Sequence, residues 1–155
     1  MRIGHSIDVH KFTTSRKLTL GGVKIDYMGL EGHSDADVLF HAVAESILGA
    51  LALGDLGSNF PDNDPLYKNV DSSILIKKTM ELVGDQYRVS NIDCQVIAES
   101  PKIAPYIKEM RNNIAKLLKI DIKQVSVKAT TTEGLGFIGS KEGIAATATV
   151  LIEEL

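Results

Sequence analysis

Asp8 and His10 stand two apart in Asp8-Val9-His10, a segment that alternates like a strand, so both side chains leave the same face. A carboxylate and an imidazole side by side are half of a metal site. His41, at the end of His33-Ser34-Asp35-Ala36-Asp37-Val38-Leu39-Phe40-His41, offers a third ligand. Three ligands leave one tetrahedral position open, as catalytic zinc requires. One hard oxygen and two borderline nitrogens suit Zn²⁺. Taken alone, Asp-Val-His also reads as a polar strand edge. His41 shifts the balance because it interrupts an apolar helix, where a neutral imidazole needs a partner. Near the other end, Lys128-Ala129-Thr130-Thr131-Thr132-Glu133 leaves a strand toward Gly134-Leu135-Gly136-Phe137. Hydroxyls and backbone amides there can cradle phosphate, and Glu133 can hold a hard cation; a threonine-rich strand end is the plainer reading. No Gly-Lys-Ser/Thr is present, so this is not a Walker loop. Together the two regions read as a metal-dependent phosphoryl-transfer enzyme.

Two further groups can serve that chemistry. His33-Ser34 precedes the helix of His41, and exposed donors at a helix start favour anions. Gly54-Asp55-Leu56-Gly57 and Phe60-Pro61-Asp62-Asn63-Asp64 put three carboxylates in a turn-rich segment. They can accept from sugar hydroxyls, or they can simply build Asx-turns.

The elements that position these residues follow from period and punctuation. Met1–His10 alternates as a strand, and Lys17–Ile25 reads as a second strand bent at Gly21-Gly22, with 26–31 as a connection. Asp35 or Asp37 can cap a helix from about Val38 to Leu53, with Leu39, Val43, Ile47 and Leu51 on one stripe. The loop from Gly54 to Asp71, about 17 residues, is long for a compact domain and is a candidate lid. A helix then runs from Asp71-Ser72-Ser73 to Val83, a strand from Tyr87 to Ala98, and a helix from Pro101 and Pro105 to Leu118. Gln124–Ala129 is a strand, the stretch around Gly134, Gly136, Gly139 and Gly143 is flexible, and Ile144–Ile152 is a β-branched final strand. Without repeat or linker, residues 1–155 form one α/β or α+β domain.

Composition narrows the function classes. The chain of 155 residues is 44% hydrophobic, enough for a core. No run approaches the roughly 20 apolar residues of a membrane span. Net charge −3 points to neither nucleic acid nor membrane. Residues 102–128 carry seven basic side chains against two acidic ones, which reads as a solvated helix face. The lone Cys94 lies in the alternation Ile92, Cys94, Val96, as a buried strand residue in a reducing compartment. The start of the chain reads as a strand, so the expectation is a cytoplasmic protein, or a plastid-type organelle if a transit segment was trimmed.

Several ordered motifs resemble the 2-C-methyl-D-erythritol 2,4-cyclodiphosphate synthase family of the non-mevalonate isoprenoid pathway. They are Met1-Arg2-Ile3-Gly4-His5, Asp8-Val9-His10, Gly21-Gly22-Val23, His33-Ser34-Asp35, His41, Gly54-Asp55-Leu56-Gly57, Phe60-Pro61-Asp62, Ala98 to Lys102, Lys128 to Glu133, Leu135-Gly136-Phe137 and Glu142-Gly143-Ile144-Ala145. The resemblance implies cyclisation of 4-diphosphocytidyl-2-C-methyl-D-erythritol 2-phosphate with release of CMP. It implies Asp8, His10 and His41 as zinc ligands, Glu133 as ligand of Mg²⁺ or Mn²⁺, and His33 and Thr131 as donors to the transition state. It places Ser34, Asp55, Gly57, Asp62 and Asp64 against the methylerythritol phosphate or ribose. The cytidine pocket falls on the stretch from Ala98 through Ser100, Pro101 and Lys102 to Ile103 and on Ala129, Thr130 and Thr131, and Val9, Leu56, Phe60, Pro61, Asn63, Thr132, Phe137, Ser140 and Lys141 join the substrate-binding set. The family carries Gly where Ser6 stands, Thr where Asn63 stands, and Arg where Ser140 stands. Lys141 offers a point charge without the planar fork of Arg.

The fold expected is a mainly four-stranded mixed sheet, covered by helices on one face, with a small N-terminal hairpin. The resemblance further implies a homotrimer with its sheets facing the three-fold axis and active sites between subunits. In keeping with that, Gly143–Ile152 carries Ala, Thr and Val on both faces, as in a strand covered on both sides. Two rival readings use the same residues: a hydrolase of cytidine diphosphate compounds, with water as nucleophile, and a metal- or nucleotide-binding module without turnover.

Overall fold

A computed structural model describes residues 1–155. Five strands are ordered β2-β1-β5-β3-β4: β1 Arg2–Leu20, β2 Val23–Leu30, β3 Tyr87–Ile97, β4 Val125–Thr130 and β5 Gly143–Glu154. β1 is antiparallel to β5 (Asp8 opposite Ala146), β5 is antiparallel to β3, and β3 is parallel to β4. These four strands make the mixed main sheet. The helices are α1 Val38–Ala50, α2 Leu56–Asn59, α3 Ser73–Val83, α4 Ile107–Leu118 and α5 Gly136–Gly139. α1 crosses β1 and β5, α4 packs on β4, and α3 lies against α1 and α4, all on one face. Ile144, Ala146, Ala148, Val150 and Ile152 of β5 point into that layer and are fully buried. Phe40, Val43 and Ile47 of α1 answer them, each side chain stabilising the fold by about 1.5–3 kcal/mol through burial.

The N-terminal strand is longer than its alternation predicts. Its pairing with β5 ends at Lys11 opposite Gly143, and from Phe12 opposite Leu30 the same strand pairs with β2. The register shift between Thr13 and Lys17 lets one strand pass from the main sheet into a hairpin. Gly21-Gly22 is therefore a hairpin turn, not a bend within one strand. Both residues have positive φ, 57° and 72°, as a two-residue primed turn demands. The segment expected to be a connection, 26–31, is mostly β2. The glycine-rich stretch near the C-terminus is also more ordered than expected, since α5 forms within it.

Of the two candidate caps of α1, Asp37 is the one used. Its Oδ1 accepts from Phe40 N at 3.0 Å and from Gly21 N at 2.9 Å, and its Oδ2 from Gly22 N at 2.8 Å. One carboxylate thus caps the helix and holds the hairpin turn. Burial pushes this carboxyl up to about 6, against the pull of the three N–H groups. The helix stops at Ala50, and Ala52 follows at φ 57°.

The outer face of the main sheet carries apolar side chains along β1, interrupted by His5, and is polar along β3. Ile3, Ile7 and Val9 are 72%, 58% and 45% exposed, whereas Asn91, Asp93 and Gln95 line the same face farther across. On β5, Ala145 is buried on this face, but Thr149 is exposed. The apolar outer surface is therefore shared between β1 and part of β5.

Gly4 sits where α1 comes closest to β1. A Cβ there would lie 1.8 Å from the Ser46 carbonyl oxygen and 2.7 Å from the Ala50 nitrogen, both backbone atoms. Gly4→Ala must push the helix off the strand, and overpacking of this kind costs about 1–3 kcal/mol. Urea unfolding of the variant is expected to show that loss; an unchanged midpoint would mean that α1 does not press on β1 here.

Candidate metal centre

Alternation along β1 sends Gly4, Ser6, Asp8 and His10 toward α1. The Ser6 hydroxyl donates to the Ala42 carbonyl at 2.6 Å, one residue past His41. This contact sets the helix so that His41 meets the two strand side chains. Asp8 Oδ2 lies 2.9 Å from His10 Nε2 and 3.1 Å from His41 Nδ1, and the two nitrogens are 3.1 Å apart. The three atoms form a nearly equilateral triangle. The edge of a tetrahedron with ligand bonds of about 2.0–2.1 Å is about 3.3 Å, so the triangle is close to one face of such a site.

The outer hydrogen bonds of both rings favour the same orientation of their lone pairs. His10 Nδ1 is 2.5 Å from the Glu31 carbonyl oxygen. A carbonyl only accepts, so Nδ1 carries the hydrogen and Nε2 presents its lone pair to the triangle. His41 Nε2 is 3.0 Å from the hydroxyl oxygens of Ser34 and Ser72. Ser72 donates its own hydrogen to Asp35, whose other oxygen accepts from Ser72 N at 3.1 Å. The Ser72 oxygen is thus an acceptor for His41 Nε2–H, which leaves Nδ1 bare beside Asp8. Two nitrogen lone pairs and a carboxylate converge on one point, an arrangement that calls for a cation. Proton affinities express the same demand. Burial works against charge on His10, but the Asp8 carboxylate outweighs it and raises the pKa of the ring. Burial works against charge on Asp8 too, and its bonds to His10 and His41 hold it well below the usual carboxylate range. The residues fit a divalent metal, with Asp8 and His10 partly accessible and His41 buried.

The remaining predicted residues fall into two places. The segment 54–71 contains α2 and a 3₁₀ turn at Pro65–Tyr67. Asp55 caps α2 through Ser58 N at 2.7 Å, and that bond lowers its pKa; Asp64 caps the 3₁₀ turn through Leu66 N at 2.9 Å. These two carboxylates do build local turns, while Asp62 and Asn63 face solvent. Phe60 meets Tyr67 edge to face at 5.5 Å. His33 Nε2 donates to the Asp64 carbonyl at 2.9 Å, tying this segment to the residues before α1. Ser34 is buried against His41.

The second place is the end of β3 and β4. Ala98 N donates to the Thr130 carbonyl at 3.0 Å, so the segments 98–103 and 129–134 lie side by side, as expected of one pocket. Sequence reasoning passed over the residue that joins them. Glu99 Oε1 accepts from the backbone N–H of Thr132 and of Gly134, each at 3.0 Å. These bonds, that of Gly134 foremost, hold its pKa below the usual carboxylate value, and Lys141 acts in the same direction. Two amides expected to cradle phosphate are therefore already engaged, while the side chains of Thr130, Thr131 and Glu133 are exposed. A glutamate in Glu99-Ser100-Pro101 carries no local signal of a partner 33 to 35 residues away. The Ser140 hydroxyl donates to Glu142 at 2.6 Å, and Lys141 and Phe137 are exposed nearby. Cys94 is buried in the core, where burial pushes its thiol up to about 12, far from nucleophilic use.

In a single chain the two places are apart. Asp8 pairs with Ala146, Ala146 with Val96 and Val96 with Ala129, so three strand spacings of about 4.8 Å put roughly 14 Å between Asp8 and Ala129.

Comparison with known proteins matches this geometry to a family. The YgbB family model covers residues 1–153. The 2-C-methyl-D-erythritol 2,4-cyclodiphosphate synthase of a Geobacillus species is 55% identical over 155 residues, 99% of this chain and 98% of that one. The Plasmodium falciparum IspF in complex with CDP superimposes with a TM-score of 0.87 at 39% identity, over 99% of this chain and 96% of its own. The bifunctional IspDF of Campylobacter jejuni superimposes at 0.95 with 44% identity; this chain spans 42% of that longer protein. The chain belongs to the YgbB family.

Proposed function

We propose that this chain converts 4-diphosphocytidyl-2-C-methyl-D-erythritol 2-phosphate into 2-C-methyl-D-erythritol 2,4-cyclodiphosphate and CMP. The convergence of Asp8, His10 and His41 on one point carries the reading, together with full-length identity of 55% to a synthase of that name. An oxygen of the 2-phosphate attacks the β-phosphorus, the bond from that phosphorus to the bridging oxygen breaks, and the electron pair leaves with CMP. The difficulty is to bring two polyanions together in line, and correct positioning contributes about 7–11 kcal/mol.

Each group of residues has a part in this. Zn²⁺ held by Asp8, His10 and His41 supplies charge neutralisation and a template for phosphate oxygens when bound. The exposed Glu133 carboxylate would hold Mg²⁺ or Mn²⁺, which would supply further charge neutralisation to the diphosphate. Thr131 and His33 donate to phosphate oxygens as charge develops. Backbone groups of Ala98, Ser100, Pro101, Lys102 and Ile103 and of Ala129–Thr131 read cytosine, and the segment 54–64 covers the methylerythritol and ribose end. The neighbour that binds CDP in its crystal supports a cytidine pocket on this fold.

The reading extends to a homotrimer. Within one chain the base pocket stands about 14 Å from Asp8 across the sheet. A neighbouring copy can bring its 98–103 and 129–134 segments to the Asp8–His10–His41 triad. Exposed Ile3, Ile7 and Val9 on the outer sheet face supply an apolar surface for such contacts. The enzyme works in the cytoplasm, where its single buried thiol stays reduced; no helix is long and apolar enough to cross a membrane.

Incubation with the substrate, Zn²⁺ and Mg²⁺ is expected to yield CMP and a cyclic diphosphate by mass spectrometry; a linear monophosphate would instead make the protein a hydrolase, and occupancy without turnover a binding module. His10→Ala and His41→Ala should each empty the site of zinc, leaving only two ligands, and abolish cyclisation with the fold retained. Full zinc in both variants would remove these residues from the ligand set. Light scattering should give a mass near three times the 16.8 kDa of one chain. An active monomer at micromolar concentration would defeat the shared site.

A further inference from the structure

The turn at 131–134 reaches out from the sheet with two consecutive residues in the left-handed region, Glu133 at φ 54° and Gly134 at φ 77°. A non-glycine residue there is uncommon and persists only when its surroundings hold it. Here the hold has two parts, the turn's own bond from Leu135 N to the Thr132 carbonyl at 3.0 Å and one atom from outside the turn. Oε1 of Glu99 receives the N–H groups on either side of Glu133, those of Thr132 and Gly134, each at 3.0 Å. The Thr132 hydroxyl is 3.2 Å from the same oxygen but 2.7 Å from the Leu135 carbonyl, and its one hydrogen goes mainly to the nearer acceptor. The Glu133 N–H turns the other way and donates to Thr131 Oγ1 at 3.2 Å. The turn is thereby folded around the Glu99 carboxylate, as successive backbone donors fold around an anion. Glu99 belongs to the other segment of the pair, directly after Ala98, whose N–H holds the Thr130 carbonyl. One side chain links the stretch 98–103 to the orientation of Thr131 and Glu133.

We propose that Glu99 is a positioning residue: it fixes the Thr131–Glu133 turn relative to the 98–103 segment, so that base and diphosphate are held in one register. The inference rests on the functional reading above and adds a residue to it. Glu99 acts through the turn, and its working feature is an acceptor oxygen rather than its charge. Two consequences separate this from a merely structural role. Glutamine keeps the acceptor oxygen, so Glu99→Gln should behave like the parent. Alanine removes it, so Glu99→Ala should uncouple Thr131 and Glu133 from the base pocket while the metal triad, about three strands away, keeps its ion.

The test uses the full-length protein loaded with zinc. Glu99→Ala is expected to lower kcat, or raise the half-saturating Mg²⁺ concentration, about tenfold to a hundredfold, the penalty of small misplacement. Zinc content and thermal midpoint should match the parent. Glu99→Gln should stay within about threefold of the parent in the same assays, since a neutral acceptor replaces a charged one. Glu99→Ala with parental kinetics and Mg²⁺ dependence would overturn the proposal. So would a Gln variant as impaired as the Ala variant, because the charge and not the turn would then matter. Amide hydrogen exchange at Thr132 and Gly134 provides a readout independent of the reaction assigned: it should quicken about tenfold or more in Glu99→Ala and little in Glu99→Gln. Should the parent protein form no cyclic product, the functional reading fails on that result, while unchanged exchange in Glu99→Ala would sink the Glu99 assignment by itself.

Discussion

The close seating of α1 on β1 is the constraint on which the rest of the structure depends. Four successive inward positions of β1 serve it in turn. Gly4 has no side chain and admits the helix backbone, and Ser6 hydrogen-bonds the helix at Ala42. Asp8 and His10 then find His41 at hydrogen-bonding distance. Two of these four residues have no contact with the triad, but they set where the helix stands along and above the strand. Asp37 fixes the start of that helix and the hairpin turn with a single carboxylate. The metal triad is therefore a product of backbone packing, and its geometry is as rigid as the core beneath it.

A second layer carries the orientation of the rings. The Glu31 carbonyl ends β2 against His10, and Asp35 holds Ser72 against His41. Ser72 stands at the start of α3, yet its hydroxyl makes no cap bond. It is used on the histidine instead, and Asp71 bonds Ser73 N in its place at 2.8 Å. Three elements distant in sequence thus close around one imidazole. The same segment is bound back to the residues before α1 through Asp35 N to Val70 and Asn69 N to His33. The covering loop and the ligand are parts of one hydrogen-bonded unit. By contrast, the sheet order places β5 and β3 between the triad and the 98–103 and 129–134 pair. In the homotrimer proposed above, a second copy of the chain closes that distance.

Much of this could be read before the structure. Asp8 and His10 were legible because a two-residue spacing on a strand has only one geometric meaning, and His41 because an imidazole in an apolar helix needs a partner. The helices were legible too, α1 from its stripe and capping aspartate, α3 from its Asp71-Ser72-Ser73 start and α4 from the prolines ahead of it. What stayed hidden depended on tertiary pairing. Nothing in residues 11 to 20 reveals that one strand changes sheets, because that is decided by where Gly143 ends β5 and where Leu30 begins to pair. Glu99 drew no reading of its own, since its donors belong to a turn after β4, 33 to 35 residues away. Ser72 read only as part of the Asp71-Ser72-Ser73 helix start, because local rules do not reveal that its hydroxyl serves His41. Asp55 and Asp64 went the opposite way, with local turn bonding accounting for their carboxylates.

The central claim is that packing and outer hydrogen bonds preset both rings to offer the correct nitrogen to a metal. The most direct measurement is long-range ¹H–¹⁵N correlation of the imidazole nitrogens, recorded before and after addition of Zn²⁺. The account predicts hydrogen on Nδ1 of His10 and on Nε2 of His41 in the zinc-loaded protein, with His10 Nε2 and His41 Nδ1 shifted as metal-bound nitrogens. The opposite tautomer at either ring, or spectra that Zn²⁺ leaves unchanged, would contradict it.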